Sequence, residues 1–237
     1  MEYGVKRPAW STANWDAPAL AKRMEVSDSR RMADIIPPQV LLNAYAQGIF
    51  PMAEAGEIGW YRPEMRGLIP LDERFHIPHS LQRTLRRRPF EVRWNSSFRE
   101  VMSGCAQREQ TWIDEAILES YGLLHRLGFA HSVECWDAEG LQGGLYGVAL
   151  RGAFFGESMF SNKTDASKIA LVDLVECLRQ AGVILLDTQW MTPHLRRFGG
   201  YELPRRQYER ALAAALKLDC SLPVGTSPTT SGRRLQI

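Results

Sequence analysis

Three side chains able to handle a proton or a cation stand in two apolar stretches of this sequence. Glu157 lies in Gly152-Ala-Phe-Phe-Gly-Glu-Ser-Met-Phe160, and Asp187 and Gln189 lie in Val183-Ile-Leu-Leu-Asp-Thr-Gln-Trp190. Both stretches have the composition of central β-strands, where an unpaired carboxylate is costly. Acids in two such strands therefore either pair with arginines as part of the scaffold or form a site. Strand periodicity of two puts Asp187 and Gln189 on one face. It puts Phe155, Glu157 and Met159 on one face of the other strand, with Phe154 and Phe160 opposite. If the acid-bearing faces meet, two carboxylates and an amide stand beside aromatic and thioether walls. That setting suits a cationic group next to an apolar one.

Other chemistries find less support. No Gly-rich loop leads into Lys-Ser/Thr, and no Gly-x-Gly-x-x-Gly precedes a helix. A triad of Ser158, His194 and Asp187 can be written, but Ser158 lacks the surroundings of a nucleophile elbow. His194 follows Pro193 in a loop and reads as a surface or structural residue. Cys105, Cys135, Cys177 and Cys220 are widely spaced, without a Cys-x-x-Cys or a Cys/His grouping. They read as reduced, mostly buried residues, with neither metal nor disulfide. No cofactor is expected.

One helix connects the two stretches. Asp165 can cap it, Leu171, Leu174, Val175 and Leu178 give it a core stripe, and Gly182 closes it. Strands over 130–136, 141–150 and 153–160 precede it as an antiparallel meander. The order β-β-β-α-β predicts an α+β domain with a mixed sheet. Glycines at 143, 144, 147, 152 and 156 predict bulges or a ligand close to the backbone. Upstream, Pro37-Pro38 opens a helix, 49–52 forms an apolar turn, and 59–61 and 67–70 are short strands. Ser80 caps a short helix that Pro89 ends, carrying Arg83, Arg86, Arg87 and Arg88 with no acid among them. This is either a solvated face or a phosphate-binding patch. An edge strand at 90–94 and helices at 97–107, 114–127 and 205–217 complete the reading. Residues 1–36 form a loose extension, 37–75 a small N-terminal domain, 76–220 the larger catalytic domain, and 221–237 a frayed tail.

The chain has 237 residues, 45% hydrophobic and 24% charged, which suits a globular protein with a full core. No apolar run nears the ~20 residues of a membrane span, and no signal peptide is evident. The cytoplasm is the expected location. Net charge is only +2, so a nucleic-acid partner needs a local basic patch.

Several separated motifs in chain order resemble the leucyl/phenylalanyl-tRNA–protein transferase family. They are Ala44-Tyr-Ala-Gln-Gly-Ile-Phe-Pro51, Thr111-Trp-Ile113, Ala130-His-Ser-Val133, the run from Gly147 to Ser161, Asp165-Ala-Ser-Lys168, Leu186-Asp-Thr-Gln189, Thr192-Pro-His194 and Leu203-Pro-Arg-Arg206. The resemblance covers about residues 37–217. It implies a small N-terminal domain and a C-terminal domain like the GCN5-related N-acetyltransferases. The implied activity is transfer of Leu or Phe from aminoacyl-tRNA to the N-terminal Arg or Lys of a protein, which creates an N-degron. Partners are then aminoacyl-tRNA and such proteins, with no membrane and no metal. By the same resemblance Asp187 and Gln189 handle the attacking amine and Glu157 helps bind the acceptor. The amino-acid pocket falls on Met52, Trp112, Leu145, Phe154, Leu171, Leu174, Leu178 and Leu186, and the helix with Arg83 to Arg88 contacts tRNA. Met52 stands where many members have Trp, a softer wall that opens the preference to Leu, Phe and Met. The common Gly-Gly-Asp-Leu is replaced by Ala33-Asp-Ile-Ile36. Two other classes stay open. An acetyl-CoA-dependent N-acetyltransferase would want a glycine-bearing pyrophosphate loop where Ser161-Asn-Lys-Thr-Asp165 stands. A noncatalytic tRNA-binding protein would need only the arginine helix.

Overall fold

Pro37 and Pro38 start the first helix, α1 (Pro38–Ala46), because proline's fixed φ suits a first turn whose N–H groups have no helical partner. In the computed structural model, residues 35–54, 57–107, 111–223 and 229–230 are described. The extension over 1–36 and the tail over 221–237 fall largely outside them. After α1 comes a two-stranded hairpin, β1 (Phe50–Glu54) and β2 (Glu57–Tyr61), where the sequence suggested an apolar turn and one short strand. Next come β3 (Met65–Ile69) and α2 (His79–Arg87). Pro78, not Ser80, holds the N-cap position of α2, so Ser80 lies inside the helix.

β4 (Glu91–Trp94), α3 (Phe98–Ala106) and α4 (Glu115–Arg126) follow. Asp114 caps α4: its Oδ1 accepts from the Ile117 N–H at 2.8 Å, satisfying a donor the helix leaves open. The meander is β5 (Ala130–Asp137), β6 (Gly140–Leu150) and β7 (Ala153–Ser161). The chain then runs through α5 (Ala166–Gln180), β8 (Leu185–Asp187), α6 (Pro193–Arg196), β9 (Tyr201–Pro204), α7 (Arg205–Ala215) and β10 (Thr229–Thr230). Asp165 precedes α5 but caps nothing; its carboxylate bonds Lys168 and Thr84 instead.

Among the described residues the main sheet has the order β10-β4-β5-β6-β7-β8-β3-β9. Only β7 and β8 run parallel, joined through α5; the other neighbours are antiparallel. The architecture is therefore α+β with a large mixed sheet. β3 lies between β8 and β9, so segments on both sides of position 75 share this sheet.

Two hydrophobic clusters flank the sheet. One gathers Leu41, Tyr45, Val101, Ile117, Tyr121, Phe155 and Tyr208, from α1, α3, α4, α7 and the sheet. The other gathers Val133, Leu145, Phe154, Leu171, Leu174, Leu178 and Leu186 around α5. Adjacent Phe154 and Phe155 point to opposite clusters, as strand alternation requires.

Around the acids that alternation fails at two places. Gly147 pairs with Gly156 and Tyr146 with Ser158, so Glu157 is an extra residue, a β-bulge. Beyond the bulge the faces exchange: Met159 joins the α5 cluster and Phe160 the other. Met159 therefore does not share Glu157's face, and the thioether wall expected there is absent. The second place is the run over 183–190, where the strand stops at Asp187 and Gln189 turns with φ +57°.

Phe154 packs against bare backbone at Gly147. A Cβ there would stand 2.3 Å from the Phe155 carbonyl oxygen and 2.4 Å from Phe154 Cε1. Gly147→Ala must push β6 from β7 beside the bulge. It should cost about 1–3 kcal/mol, the usual overpacking penalty, or more. Urea unfolding of both proteins checks this, and an unchanged midpoint would show that the two strands separate freely here.

Candidate active site

Arg66, on β3, and Asp187, at the end of β8, are 1% and 0% exposed. The guanidinium grips the carboxylate with Nε 2.9 Å from each oxygen and Nη2 2.7 Å from Oδ2. Its Nη1 donates to the Gly48 carbonyl at 3.0 Å. Phe50 and Tyr208 sandwich it, each ring centroid 4.7 Å from Cζ. Tyr208, on α7, donates its hydroxyl to Asp187 Oδ2 at 2.6 Å. Burial raises the pKa of this phenol, which keeps its proton. The remaining bond to Asp187 comes from the Gln189 N–H, 2.8 Å from Oδ1.

Gln189 is thus fixed through its backbone. Its carbonyl accepts from Gly67 N–H, and Thr188 N–H donates to the Gly67 carbonyl, both at 2.9 Å. β3 continues to hold this segment after β8 has ended. A Cβ at Gly67 would lie 2.8 Å from Met191 N and from the Trp190 carbonyl carbon, so only glycine lets the loop cross so closely. A non-glycine residue at positive φ stores of order 1–3 kcal/mol, and the surrounding bonds hold Gln189 there.

The side chain of Gln189 then reaches the third group. Its Nε2 donates to Glu157 Oε1 at 3.1 Å. Tyr121, on α4, donates to Glu157 Oε2 at 3.3 Å, and the Tyr121 and Tyr45 hydroxyls are hydrogen-bonded to each other. Glu157 is half-buried, in contrast to Asp187. Burial pushes its carboxyl up to about 8; the Asp187 charge adds to this, while Tyr45, Arg66 and Tyr121 oppose it. Burial and the Glu157 charge both raise the tyrosines, so they remain protonated.

The structure brings Glu157, Asp187 and Gln189 together. Each acid takes one of the two roles left open by the sequence: Asp187 pairs with an arginine, and Glu157 does not. No Ser158–His194–Asp187 triad forms, because Arg66, Tyr208 and Gln189 occupy the Asp187 oxygens. His194 packs against Phe198 instead, with ring centroids 5.6 Å apart. Leu145, Phe154, Leu171, Leu174, Leu178 and Leu186 lie together in the α5 cluster, none above 3% exposed. Met52 and Trp112 are not with them. They pack against the other cluster, where Ala53 N–H donates to the Trp112 carbonyl at 3.1 Å. Arg83, Arg86, Arg87 and Arg88 are exposed, and no ion pair among the described residues involves them.

Sequence reasoning missed Arg66, Tyr208, Tyr45 and Tyr121. One signal was present for Arg66, a charge directly ahead of Gly67-Leu-Ile-Pro70. The tyrosines read as ordinary core. Cys105, Cys135 and Cys177 are buried and Cys220 is half-buried. Among the described residues no three or more His, Cys, Asp or Glu side chains are grouped to hold a metal, and no helix is long and apolar enough to cross a membrane.

A profile of the leucyl/phenylalanyl-tRNA protein transferase N-terminal domain matches residues 34–64, and one of leucyl/phenylalanyl-tRNA protein transferase matches residues 68–213. A leucyl/phenylalanyl-tRNA–protein transferase of Akkermansia muciniphila is 60% identical over 191 residues, covering 78% of this chain and 99% of its own. The Herpetosiphon aurantiacus protein of the same name is 55% identical over 186 residues, covering 78% and 97%. The solved structure of L-PGS from Bacillus licheniformis is 14% identical with a TM-score of 0.35, covering 65% of this chain and 53% of that one, a likeness too slight to carry an argument. The second profile spans Glu157, Asp187 and Gln189, Arg66 falls between the two, and the relatives match over nearly their whole lengths. The chain therefore belongs to the leucyl/phenylalanyl-tRNA protein transferase family, a family of aminoacyltransferases.

Proposed function

We propose that the protein transfers Leu, Phe or Met from aminoacyl-tRNA to the N-terminal Arg or Lys of acceptor proteins in the cytoplasm, creating an N-degron. The observation that carries this reading is the Gln189 carboxamide, held between a sealed ion pair and a half-buried carboxylate. An aminoacyl ester is already activated, so the reaction asks mainly for orientation. The attacking α-amino group has a pKa of ~8, and a sizeable fraction is neutral near pH 7.5. Its nitrogen bonds the ester carbonyl carbon, the bond from that carbon to the ribose oxygen breaks, the nitrogen loses a proton and the ribose oxygen gains one.

Gln189 Nε2 is engaged by Glu157, which leaves its Oε1 to accept from the amine. Asp187 contributes as a positioning residue, through the Gln189 N–H. Glu157 faces the acceptor's cationic side chain; an opposite charge within about 4–6 Å favours the ionised carboxylate. The family resemblance assigns the amino-acid side chain to the six apolar side chains of the α5 cluster together with Met52 and Trp112, which pack against the other cluster. The exposed α2 arginines suit tRNA phosphates. The β-β-β-α-β order, with β7 and β8 parallel across α5, supports a GCN5-like fold for 76–220 behind a small N-terminal domain over 37–75.

Incubated with labelled Leu-tRNA and a peptide beginning with Arg, the protein should form a Leu-Arg peptide, and a peptide beginning with Ala should react far less. Equal transfer to both would show that the acidic site does not read charge. Arg83→Ala with Arg87→Ala should weaken binding of all tRNAs alike. Each lost phosphate contact should reduce the slope of log affinity against log salt by roughly 0.7–0.9, and an unchanged slope would make the α2 arginines a solvated face. Methionine repacks around different shapes more readily than a rigid tryptophan. Met52→Trp should therefore change the ratio of Leu, Phe and Met transfer more than it changes acceptor use. Competition among the three charged tRNAs measures this, and an unchanged ratio would remove Met52 from the pocket.

A further inference from the structure

We infer that Glu157, rather than Asp187, receives the proton released by the attacking amine. The inference rests on the transferase reading and adds a catalytic role to Glu157 beyond acceptor binding.

Asp187 has no capacity to spare. Oδ1 accepts from Arg66 Nε and Gln189 N–H, and Oδ2 from Arg66 Nε, Arg66 Nη2 and Tyr208 Oη, with no part of the residue exposed. A proton arriving there would have to displace a donor from a sealed ion pair. Breaking such a pair strands the arginine charge in the core. Glu157 differs on each count. It is half-buried, takes one bond from Gln189 at 3.1 Å and a long one from Tyr121 at 3.3 Å, and faces no cation directly. Gln189 bonds Glu157 Oε1 through Nε2 and leaves its Oε1 for the amine, so one carboxamide holds proton donor and acceptor side by side, with one water able to bridge them.

The step balances within the site. The neutral amine bonds the ester carbon, and the resulting cationic nitrogen gives its proton to the Glu157 carboxylate. The carbon–oxygen bond to the ribose then breaks, and the departing oxygen takes that proton back. Glu157 ends as it began, and no other reactant is consumed. Tyr121 and Tyr45 keep their protons throughout and act as positioning residues, Tyr45 both on the carboxylate and through the Tyr121 hydroxyl.

The groups facing Glu157 are Gln189 after β8, Tyr121 on α4 and Tyr45 on α1, with Asp187 and Arg66 behind Gln189. Burial raises its carboxyl, the tyrosine hydroxyls oppose this, and the balance in the empty site is about 8. A protonated Glu157 cannot take another proton, so the rate rises with pH as it ionises, at a midpoint that the acceptor's cation lowers from that of the empty site. Removing a tyrosine hydroxyl removes a donor to the ionised form, so the rise must move to higher pH.

The test is kcat between pH 6 and 9, with saturating Leu-tRNA and Arg-peptide and with ester hydrolysis subtracted. Tyr121→Phe should raise the midpoint by roughly half a unit to one unit, the size of a weak hydrogen bond to a charged group. Tyr45→Phe should act in the same direction and serves alone if Tyr121→Phe does not fold. Tyr208→Phe, which bears on Asp187, should leave the midpoint in place whatever it does to the plateau. Glu157→Gln should lower kcat by roughly 100-fold at the high-pH end and flatten the rise. A shift with Tyr208→Phe and none with the other two would return the role to Asp187. No shift in any variant, or Glu157→Gln within a few-fold of wild type, would overturn the inference while the transferase reading stood. A wild-type protein that forms no Leu-Arg product would overturn both.

Discussion

Arg66 and Asp187 place opposite charges where neither meets solvent, 121 positions apart in the chain. Removing two charges from water is expensive, and attraction compensates only when geometry is good and the leftover donors and acceptors are used. Here they are. The carboxylate meets the fork of the guanidinium, Gly48 takes a further N–H, and two aromatic rings close over the cation. Tyr208 and the Gln189 N–H complete the carboxylate. Removing either partner alone would strand the other, at about 3–5 kcal/mol. The pair joins β3, β8, α7 and the turn after α1 at one point. Because its geometry tolerates little movement, Gln189 inherits a fixed origin.

From that origin the site is assembled by departures from regular structure. Gln189 takes a left-handed backbone and Glu157 occupies a bulge. In a regular strand, residues beyond Gly156 would have kept their faces, and Met159 would have remained with Glu157. The bulge sends Met159 to the α5 cluster and leaves Glu157 alone among Gln189, Tyr121 and Tyr45. The neighbouring glycines fit this reading. Gly147 and Gly67 admit a phenylalanine ring and a crossing loop that a methyl group would block. Irregularity and close approach are concentrated where chemistry needs groups aimed at one another.

This explains what could be read from the sequence. The meander, α4 with its Asp114 cap, the α5 stripe and the mixed-sheet class follow from local patterns: period two, period 3.6 and turn residues. Glu157, Asp187 and Gln189 stood out because acids in apolar runs are anomalous. Arg66 did not, because its partner is remote and a charge ahead of Gly67-Leu-Ile-Pro70 does not say which acid it meets. Tyr45, Tyr121 and Tyr208 fall on apolar stripes where phenylalanine would serve equally, so their hydroxyls carry no periodic signature. The shared face of Phe155, Glu157 and Met159 was misjudged for a definite reason. A bulge resets alternation, and glycine-rich strands permit one without fixing where it falls. The Ser80 cap failed because Pro78 already supplies the extended residue that begins the helix.

Two carboxylates on one face of a sheet thus come to behave differently, through neighbours rather than type. Asp187 is saturated with donors, including a permanent cation, and serves as a fixed charge. Glu157 has a single good donor, a long second one and partial access to water, so its charge responds to what arrives. The separation depends on Gln189 standing between them. Its backbone N–H belongs to Asp187 and its side-chain amide to Glu157, so one residue measures the distance from the fixed charge to the variable one. A shorter side chain there would break the span even if it preserved the amide, since asparagine lacks the methylene that reaches Glu157. The requirement is for glutamine's length as much as for its chemistry, and the left-handed backbone at position 189 is what that reach demands.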